Sequence, residues 1–237
     1  MQDAYREPFV SVVIPTLNEA ENLPHLLPRL AEEYEVIVVD GGSTDGTPDI
    51  ARSLRPDARV ARQSGRGKGD ALLCGFLISH GDIIVTLDAD GSADVDEIPR
   101  FVEALKSGAD YAKGSRFLKG GGSADLTLVR GIGNRLLGTV VNRVHGTSYT
   151  DLCYGFNAFW RHCLPQLIII PCGFEIETLM NIRIARAGMR VVEIPSYEER
   201  RRFGHSNLHA VRDGFRILRV IWKERPPAAG LPDRATP

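Results

Sequence analysis

The chain has 237 residues, 43% of them hydrophobic, which is enough apolar matter for a globular core and excludes a disordered chain. Lysine and arginine number 29 against 30 aspartates and glutamates, a net charge of -1 that gives no broad basic field of the kind nucleic-acid binders carry, so any phosphate recognition must be local. No stretch approaches the roughly 18 to 20 apolar residues of a spanning helix. Cys74, Cys153, Cys163 and Cys172 lack C-x-x-C spacing and the start, Met1-Gln2-Asp3-Ala4, lacks a signal segment, which points to a reduced, cytoplasmic compartment and leaves peripheral membrane contact open.

Phe9 to Ile14 and Glu35 to Val39 are β-branched runs, each followed by turn chemistry, and read as buried parallel strands. Between them, residues 19–33 carry Leu23, Leu26, Leu27 and Leu30 at helical spacing, and Ser43 to Pro48 supplies start signals for a helix near 48–54. A strand near 58–62, a helix near 69–79, the apolar run Ile83-Ile84-Val85-Thr86-Leu87, a helix near 94–107 and a strand over 111–113 continue the alternation. Helical patterns follow near 127–145, 175–187 and 207–223, with a strand near 189–194. The order predicts an α/β protein: a mostly parallel sheet flanked by helices, with right-handed crossovers. Residues 1–206 are expected to form one domain, 207–224 an amphipathic C-terminal helix and 225–237 a Pro- and Ala-rich tail.

Asp88-Ala89-Asp90-Gly91-Ser92 follows the fourth strand, where an open sheet gathers its ligands. Two carboxylates one residue apart at a strand tip suit Mg²⁺ or Mn²⁺; taken alone, the pattern is also that of a solvated Asp-Gly turn. Asp40-Gly41-Gly42-Ser43-Thr44 places a carboxylate at the end of the second strand, able to bind a base or ribose or merely to cap a loop, and Glu19 sits likewise beyond the first. Gly65-Arg66-Gly67-Lys68-Gly69 lacks the upstream glycine of a P-loop and has Asp70 where a hydroxyl belongs, so an ATPase is rejected. The dinucleotide fingerprint is absent after the first strand as well. Lys68 stays open between a nucleotide contact and a solvated loop. Arg116, Arg130 and Arg200-Arg201-Arg202 carry guanidinium forks suited to phosphate oxygens, or are solvated.

Taken in order, these segments resemble the family 2 glycosyltransferases of GT-A (Rossmann-like) fold, in particular their dolichol- or polyprenyl-phosphate mannosyltransferase branch, over residues ~8–210. Pro15-Thr16-Leu17-Asn18-Glu19 is similar to the opening nucleotide-sugar motif, Val39 to Thr47 to the second and Asp88-Ala89-Asp90 to the metal motif; Gly114-Ser115-Arg116, Arg130 with Asn134, Asp151 to Phe156 and Arg201-Arg202-Phe203-Gly204 complete the set. The resemblance implies that Pro15, Glu19 and Asp40 bind the nucleoside and Arg201 the donor; Lys68, on its glycine-rich loop, and Ala89, between the two aspartates, are placed with them as nucleotide contacts. It implies Asp88 and Asp90 on the metal and diphosphate, with Ser92 placed at the metal where a longer ligand can occur, and Arg116 and Arg130 on the acceptor phosphate. Leu17 stands where an aromatic is common, Gly41 where a second aspartate is common, and His205-Ser206-Asn207 replaces Glu-Ser-Lys.

The implied activity is metal-dependent, inverting transfer of a hexose, mannose or glucose, from a GDP- or UDP-sugar to a polyprenyl or dolichyl phosphate. Such a phosphate needs no base, having a second pKa of about 6. A hydroxyl of a soluble acceptor would need one, with Asp151 the candidate, and a catalytically silent nucleotide-sugar-binding subunit is the third reading. A nucleotidyltransferase is set aside because no Gly- and Arg-rich phosphate loop follows Ile14. Leu208, Val211, Phe215, Leu218 and Trp222 share one helical face flanked by His209, Arg212, Arg216, Arg219 and Lys223, which suits an anionic bilayer or docking on the core.

Overall fold

The computed structural model describes residues 6–168, 173, 175–204 and 210–226. The chain runs β1 (Val10–Thr16), α1 (Leu23–Leu26), β2 (Glu35–Asp40), α2 (Thr47–Leu54), β3 (Arg59–Arg62), α3 (Lys68–Ile78), β4 (Ile83–Thr86), α4 (Ile98–Lys106), β5 (Tyr111–Ser115) and β6 (Gly122–Ser123). It continues through α5 (Leu128–His145), β7 (Asn157–Trp160), α6 (Leu164–Leu167), α7 (Ile176–Arg186), β8 (Val191–Pro195), β9 (Tyr197–Glu198) and α8 (Ala210–Lys223).

Seven strands make one sheet in the order β3-β2-β1-β4-β7-β5-β8, and β6 pairs with β9 in a small second sheet. All neighbours in the large sheet are parallel except those of β7, which runs antiparallel to both β4 and β5. The chain order therefore reverses between β1 and β4, and the carboxyl ends of these two strands open the crevice in which such sheets bind ligands. Alternate residues of each strand feed the two faces. Val12, Ile14, Val36, Val38 and Val85 pack beneath α1, α2 and α4, while Val13, Ile37, Val39 and Ile84 pack beneath α3 and α7. Phe101 stacks on Phe156 with centroids 4.1 Å apart, and burying each ring contributes about 1.5–3 kcal/mol. A third cluster joins α5, α7 and α8 through Val141, Ile182, Ile217 and Ile221.

The structure departs from expectation at three places. The helix expected over 19–33 is reduced to Leu23–Leu26 and a 3-10 turn, Leu27–Arg29, because Pro24 and Pro28 remove amide donors from the helical ladder. β7 was not expected: the four-residue run Asn157–Trp160 follows a loop rather than a helix, and it separates β4 from β5. On α8 the docked row is Asp213, Ile217 and Ile221, exposed by 5% or less, whereas Phe215, Leu218 and Trp222 of the expected apolar face are 69%, 40% and 63% exposed. Cys172, His205-Ser206-Asn207, Leu208, His209, the Val211 side chain and residues 227–237 lie outside the described residues. Among those described, no helix is long and apolar enough to cross a membrane.

Candidate active site

A cavity of about 660 Å³ opens over the β1–β4 reversal. From the strand tips and the loop before α3 come Pro15, Leu17, Glu19, Gly41, Gln63, Arg66 and Lys68; from the turn after β4 come Asp88, Ala89 and Asp90. Arg116, Glu177, Glu198 and Arg201 join them, and α5 and α8 add Val129, Arg130, Gly133, Leu137, Gly214 and Ile217. Nine of the twelve residues expected at the site thus line one cavity. Asp40, Ser92 and Asp151 do not.

The aspartate pair is held from three sides. Asp90 Oδ1 accepts the Ser92 backbone N–H at 3.0 Å, an Asx-type turn that fixes its orientation. Asp90 Oδ2 meets Arg201 Nη2 at 3.0 Å, and Arg201 Nη1 donates to Glu19 Oε1 at 2.9 Å. Lys68, the first residue of α3, puts Nζ 2.5 Å from both Asp88 Oδ1 and Glu177 Oε1. Burial alone would lower the Lys68 pKa, but the two carboxylates outweigh it and keep the ammonium charged. Burial pushes the Glu19 carboxyl up despite Arg201 and Asn22, and pushes Glu177 up against the pull of Lys68. Gly155 presses on this group. A β-carbon there would lie 2.5 Å from Asp88 Oδ2 and 2.9 Å from Lys68 Nζ, and Thr86 Oγ1 holds its carbonyl at 2.8 Å.

Arg201 reaches the site because Asn22 clamps the segment after β9: Asn22 Oδ1 accepts the Phe203 N–H at 3.1 Å, and Asn22 Nδ2 donates to the Phe203 carbonyl at 3.2 Å and to Glu19 Oε2 at 2.6 Å. Asp40, at the tip of β2, spends Oδ2 on the Gly42 and Ser43 amides at 2.8 and 3.0 Å, and its Oδ1 is buried without a partner. It shapes the loop behind the cavity wall. Ser92 likewise supports Asp90 rather than facing the cavity.

Arg116 and Asp151 were expected as separate actors, and the structure binds them into one unit. Arg116 Nε and Nη2 donate to the two Asp151 oxygens at 2.7 and 3.0 Å, Nη1 reaches Glu198 at 3.0 Å, and Asn134 Nδ2 adds a bond to Asp151 Oδ1 at 2.9 Å. Burial would raise the Asp151 carboxyl, yet the adjoining Arg116 charge holds it below the ordinary range. A fully buried carboxylate so paired lacks a face for a substrate proton. Arg130, on α5, is about a quarter exposed at the cavity, 28% by side chain, with Asp125 at 3.5 Å.

Glu177 and Glu198 escaped the sequence reading. Glu177 lies in a helical stretch that reads as core, and nothing in its spacing names Lys68 as its partner. Glu198 sits on a two-residue strand too short to carry a pattern.

Among the described residues no three His, Cys, Asp or Glu side chains form a metal cluster. Asp88 and Asp90 nonetheless fit a hard divalent ion, since two carboxylates that already attract two cations suit an ion that completes its shell with water and diphosphate oxygens.

A mostly parallel sheet with this cavity over its reversal point is the architecture of GT-A glycosyltransferases. The structure matches that of glucosyl-3-phosphoglycerate synthase from Mycobacterium tuberculosis, in complex with Mn²⁺, uridine diphosphate and glucosyl-3-phosphoglycerate, with a TM-score of 0.71 over 93% of this chain and 82% of that one. At 22% identity that likeness concerns the fold. The chain belongs to glycosyl transferase family 2, whose sequence profile matches residues 11–167. It is 32% identical over 219 residues to Glycosyltransferase AglJ of Haloferax volcanii, covering 90% of this chain and 71% of the relative. It is 34% identical over 225 residues to the undecaprenyl-phosphate mannosyltransferase of Micrococcus luteus, covering 89% and 92%. The protein is accordingly a glycosyltransferase.

Proposed function

We propose that this glycosyltransferase moves a hexose, mannose or glucose, from a nucleoside-diphosphate sugar to a polyprenyl or dolichyl phosphate, with inversion and with Mg²⁺ or Mn²⁺ at Asp88 and Asp90. The observation that carries the reading is the burial of Asp151, the base that the sequence offers, against Arg116, while Arg130 remains at the cavity wall. A phosphate acceptor is already anionic near neutral pH and needs no base.

In this reading Pro15, Leu17, Gly41 and Gln63 receive the nucleoside, and Asp40 shapes their loop. Lys68 and Arg201 turn toward the diphosphate. Asp88 and Asp90 would hold the divalent ion, which when bound would supply positive charge to the leaving diphosphate. Arg130 orients the acceptor phosphate, whose oxygen attacks the anomeric carbon as the carbon–oxygen bond to the diphosphate breaks on the opposite face. Holding the two reactants in line is the main service of such a site. Arg116 supports this wall through Asp151 and Glu198.

A lipid acceptor is favoured by the surface beside the cavity. On α5, Leu128, Val129, Ile132 and Leu136 are 79%, 71%, 51% and 63% exposed, and α8, packed against α5, adds Phe215 and Trp222. Arg212, Arg216, Arg219 and Lys223 are exposed on the same helix, a composition suited to an anionic bilayer surface. The deciding experiment offers GDP- and UDP-linked mannose and glucose with polyprenyl phosphate and with hydroxyl acceptors, with and without chelator. Transfer to the phosphate that chelator stops is expected; transfer to hydroxyls alone overturns the reading, and no transfer in any combination favours a silent binding subunit.

A further inference from the structure

The two aspartates are wired alike. Lys68 caps Asp88 while the same ammonium holds Glu177, and Arg201 caps Asp90 while the same guanidinium holds Glu19. In both halves the outer carboxylate is the better buried one: side-chain exposure is 5% for Glu177 against 38% for Asp88, and 9% for Glu19 against 16% for Asp90. Four carboxyl groups thus share two cations, an acidic balance that suits a divalent ion at the aspartates.

From this geometry we infer that Glu177 is a positioning residue that keeps Lys68 within reach of Asp88 without letting it compete fully for that carboxylate. An ammonium has three donors, so Lys68 can retain Glu177 while exchanging Asp88 for a diphosphate oxygen. Arg201 has the same latitude, because Nη1 holds Glu19 and Nη2 holds Asp90. A divalent ion bound at the aspartates would release Lys68 and Arg201 from Asp88 and Asp90, and both cations line the cavity where a diphosphate would take them up. Metal and nucleotide consequently bind as a coupled pair. Without Glu177 the whole charge of Lys68 falls on Asp88, in a partly buried setting where such attraction is strong, and opposes the ion. The inference rests on the reading of Asp88 and Asp90 as the metal carboxylates.

The test is Mn²⁺ binding to the full chain, followed by the electron paramagnetic resonance of free Mn²⁺, alone and with saturating UDP or GDP. In the wild type, nucleotide should tighten Mn²⁺ binding by about tenfold or more, within the usual range of coupling between sites. Glu177→Gln should weaken Mn²⁺ binding in the presence of nucleotide by about fivefold or more. The double variant Lys68→Gln, Glu177→Gln, which removes both charges, should recover much of that loss, a result that damage to the fold would not produce. Lys68→Gln alone should bind Mn²⁺ more tightly than the wild type without nucleotide, and it decides the matter if Glu177→Gln does not fold. Unchanged Mn²⁺ affinity in Glu177→Gln, no recovery in the double variant, or no tightening in Lys68→Gln overturns the inference and leaves the aspartate reading intact. A wild type that binds no Mn²⁺ with either nucleotide overturns both.

Discussion

Arg116 and Asp151 are locked face to face, Nε to Oδ2 at 2.7 Å and Nη2 to Oδ1 at 3.0 Å, with the Arg116 backbone N–H adding a third bond at 3.1 Å. Without Asp151, Arg116 keeps Glu198 through Nη1 but loses the carboxylate facing its buried Nε and Nη2, and breaking a buried pair costs up to about 3–5 kcal/mol. Asp151→Asn should therefore lower the urea midpoint sharply. Its turnover per folded molecule with polyprenyl phosphate should fall by less than about tenfold, far short of the losses general-base removal brings. A loss of two orders at unchanged stability would instead make Asp151 a base.

The same pair sets a pH dependence. Burial raises the Asp151 carboxyl but Arg116 more than offsets it, so the folded-state pKa lies below the unfolded one. A depressed carboxylate contributes its full stability above the unfolded value of about 3.9 and loses it as pH falls through the folded value. The wild type should lose stability on acidification below about pH 4, and Asp151→Asn should lack that part of the slope. Urea midpoints across the acid range measure both.

Asp88→Asn and Asp90→Asn act on the metal and the diphosphate. Lys68 keeps Glu177 in the first variant and Arg201 keeps Glu19 in the second, so neither change strands a buried cation. Transfer should drop by about two to three orders, as when a preorganised charge-stabilising group is removed, with thermal midpoints close to wild type. A folded Asp88→Asn enzyme at more than a tenth of wild-type activity, a loss below about 1.4 kcal/mol in barrier, would contradict this role.

Much of this site is written in local sequence. Asp88 and Asp90 announce themselves because an apolar strand ends on them, and Glu19 because it follows a strand and a turn. Locality is also the limit. The 182-residue separation of Arg201 from Glu19 and the burial of Asp151 are products of the fold. Asp40 shows the converse: its strand-tip place is local and correctly read, but whether Oδ2 faces a ligand or two backbone amides is decided by the turn geometry at Gly42 and Ser43. The strand alternation predicted the parallel part of the sheet, and β7 escaped because no sequence period distinguishes an antiparallel insertion from a loop.

Gly155 has its own consequence. Its conformation is open to other residues, but the space is not, since a β-carbon would press on Asp88 Oδ2 at 2.5 Å. Overpacking of this kind costs about 1–3 kcal/mol, and here the atoms that must yield are the carboxylate and the Lys68 ammonium. Gly155→Ala should lower Mn²⁺ affinity and kcat together while the melting temperature falls only modestly. Unchanged Mn²⁺ binding would show that Asp88 tolerates displacement.

The exposed apolar rows on α5 and α8 give the last expectation. Phe215 and Trp222 project from α8 with its docked row, Ile217 and Ile221, on the opposite side, so replacing them leaves the core untouched. Surface changes of this sort usually alter stability by within about 0.5 kcal/mol. Phe215→Ser with Trp222→Ser should weaken co-sedimentation with vesicles containing phosphatidylglycerol and raise KM for a long-chain polyprenyl phosphate presented in them. Transfer to a short, water-soluble prenyl phosphate should stay near wild type, because Arg130 and the aspartate pair are unchanged. Equal vesicle binding by both proteins would remove α8 from membrane contact, and an equal loss with both acceptors would place the defect at the catalytic cavity.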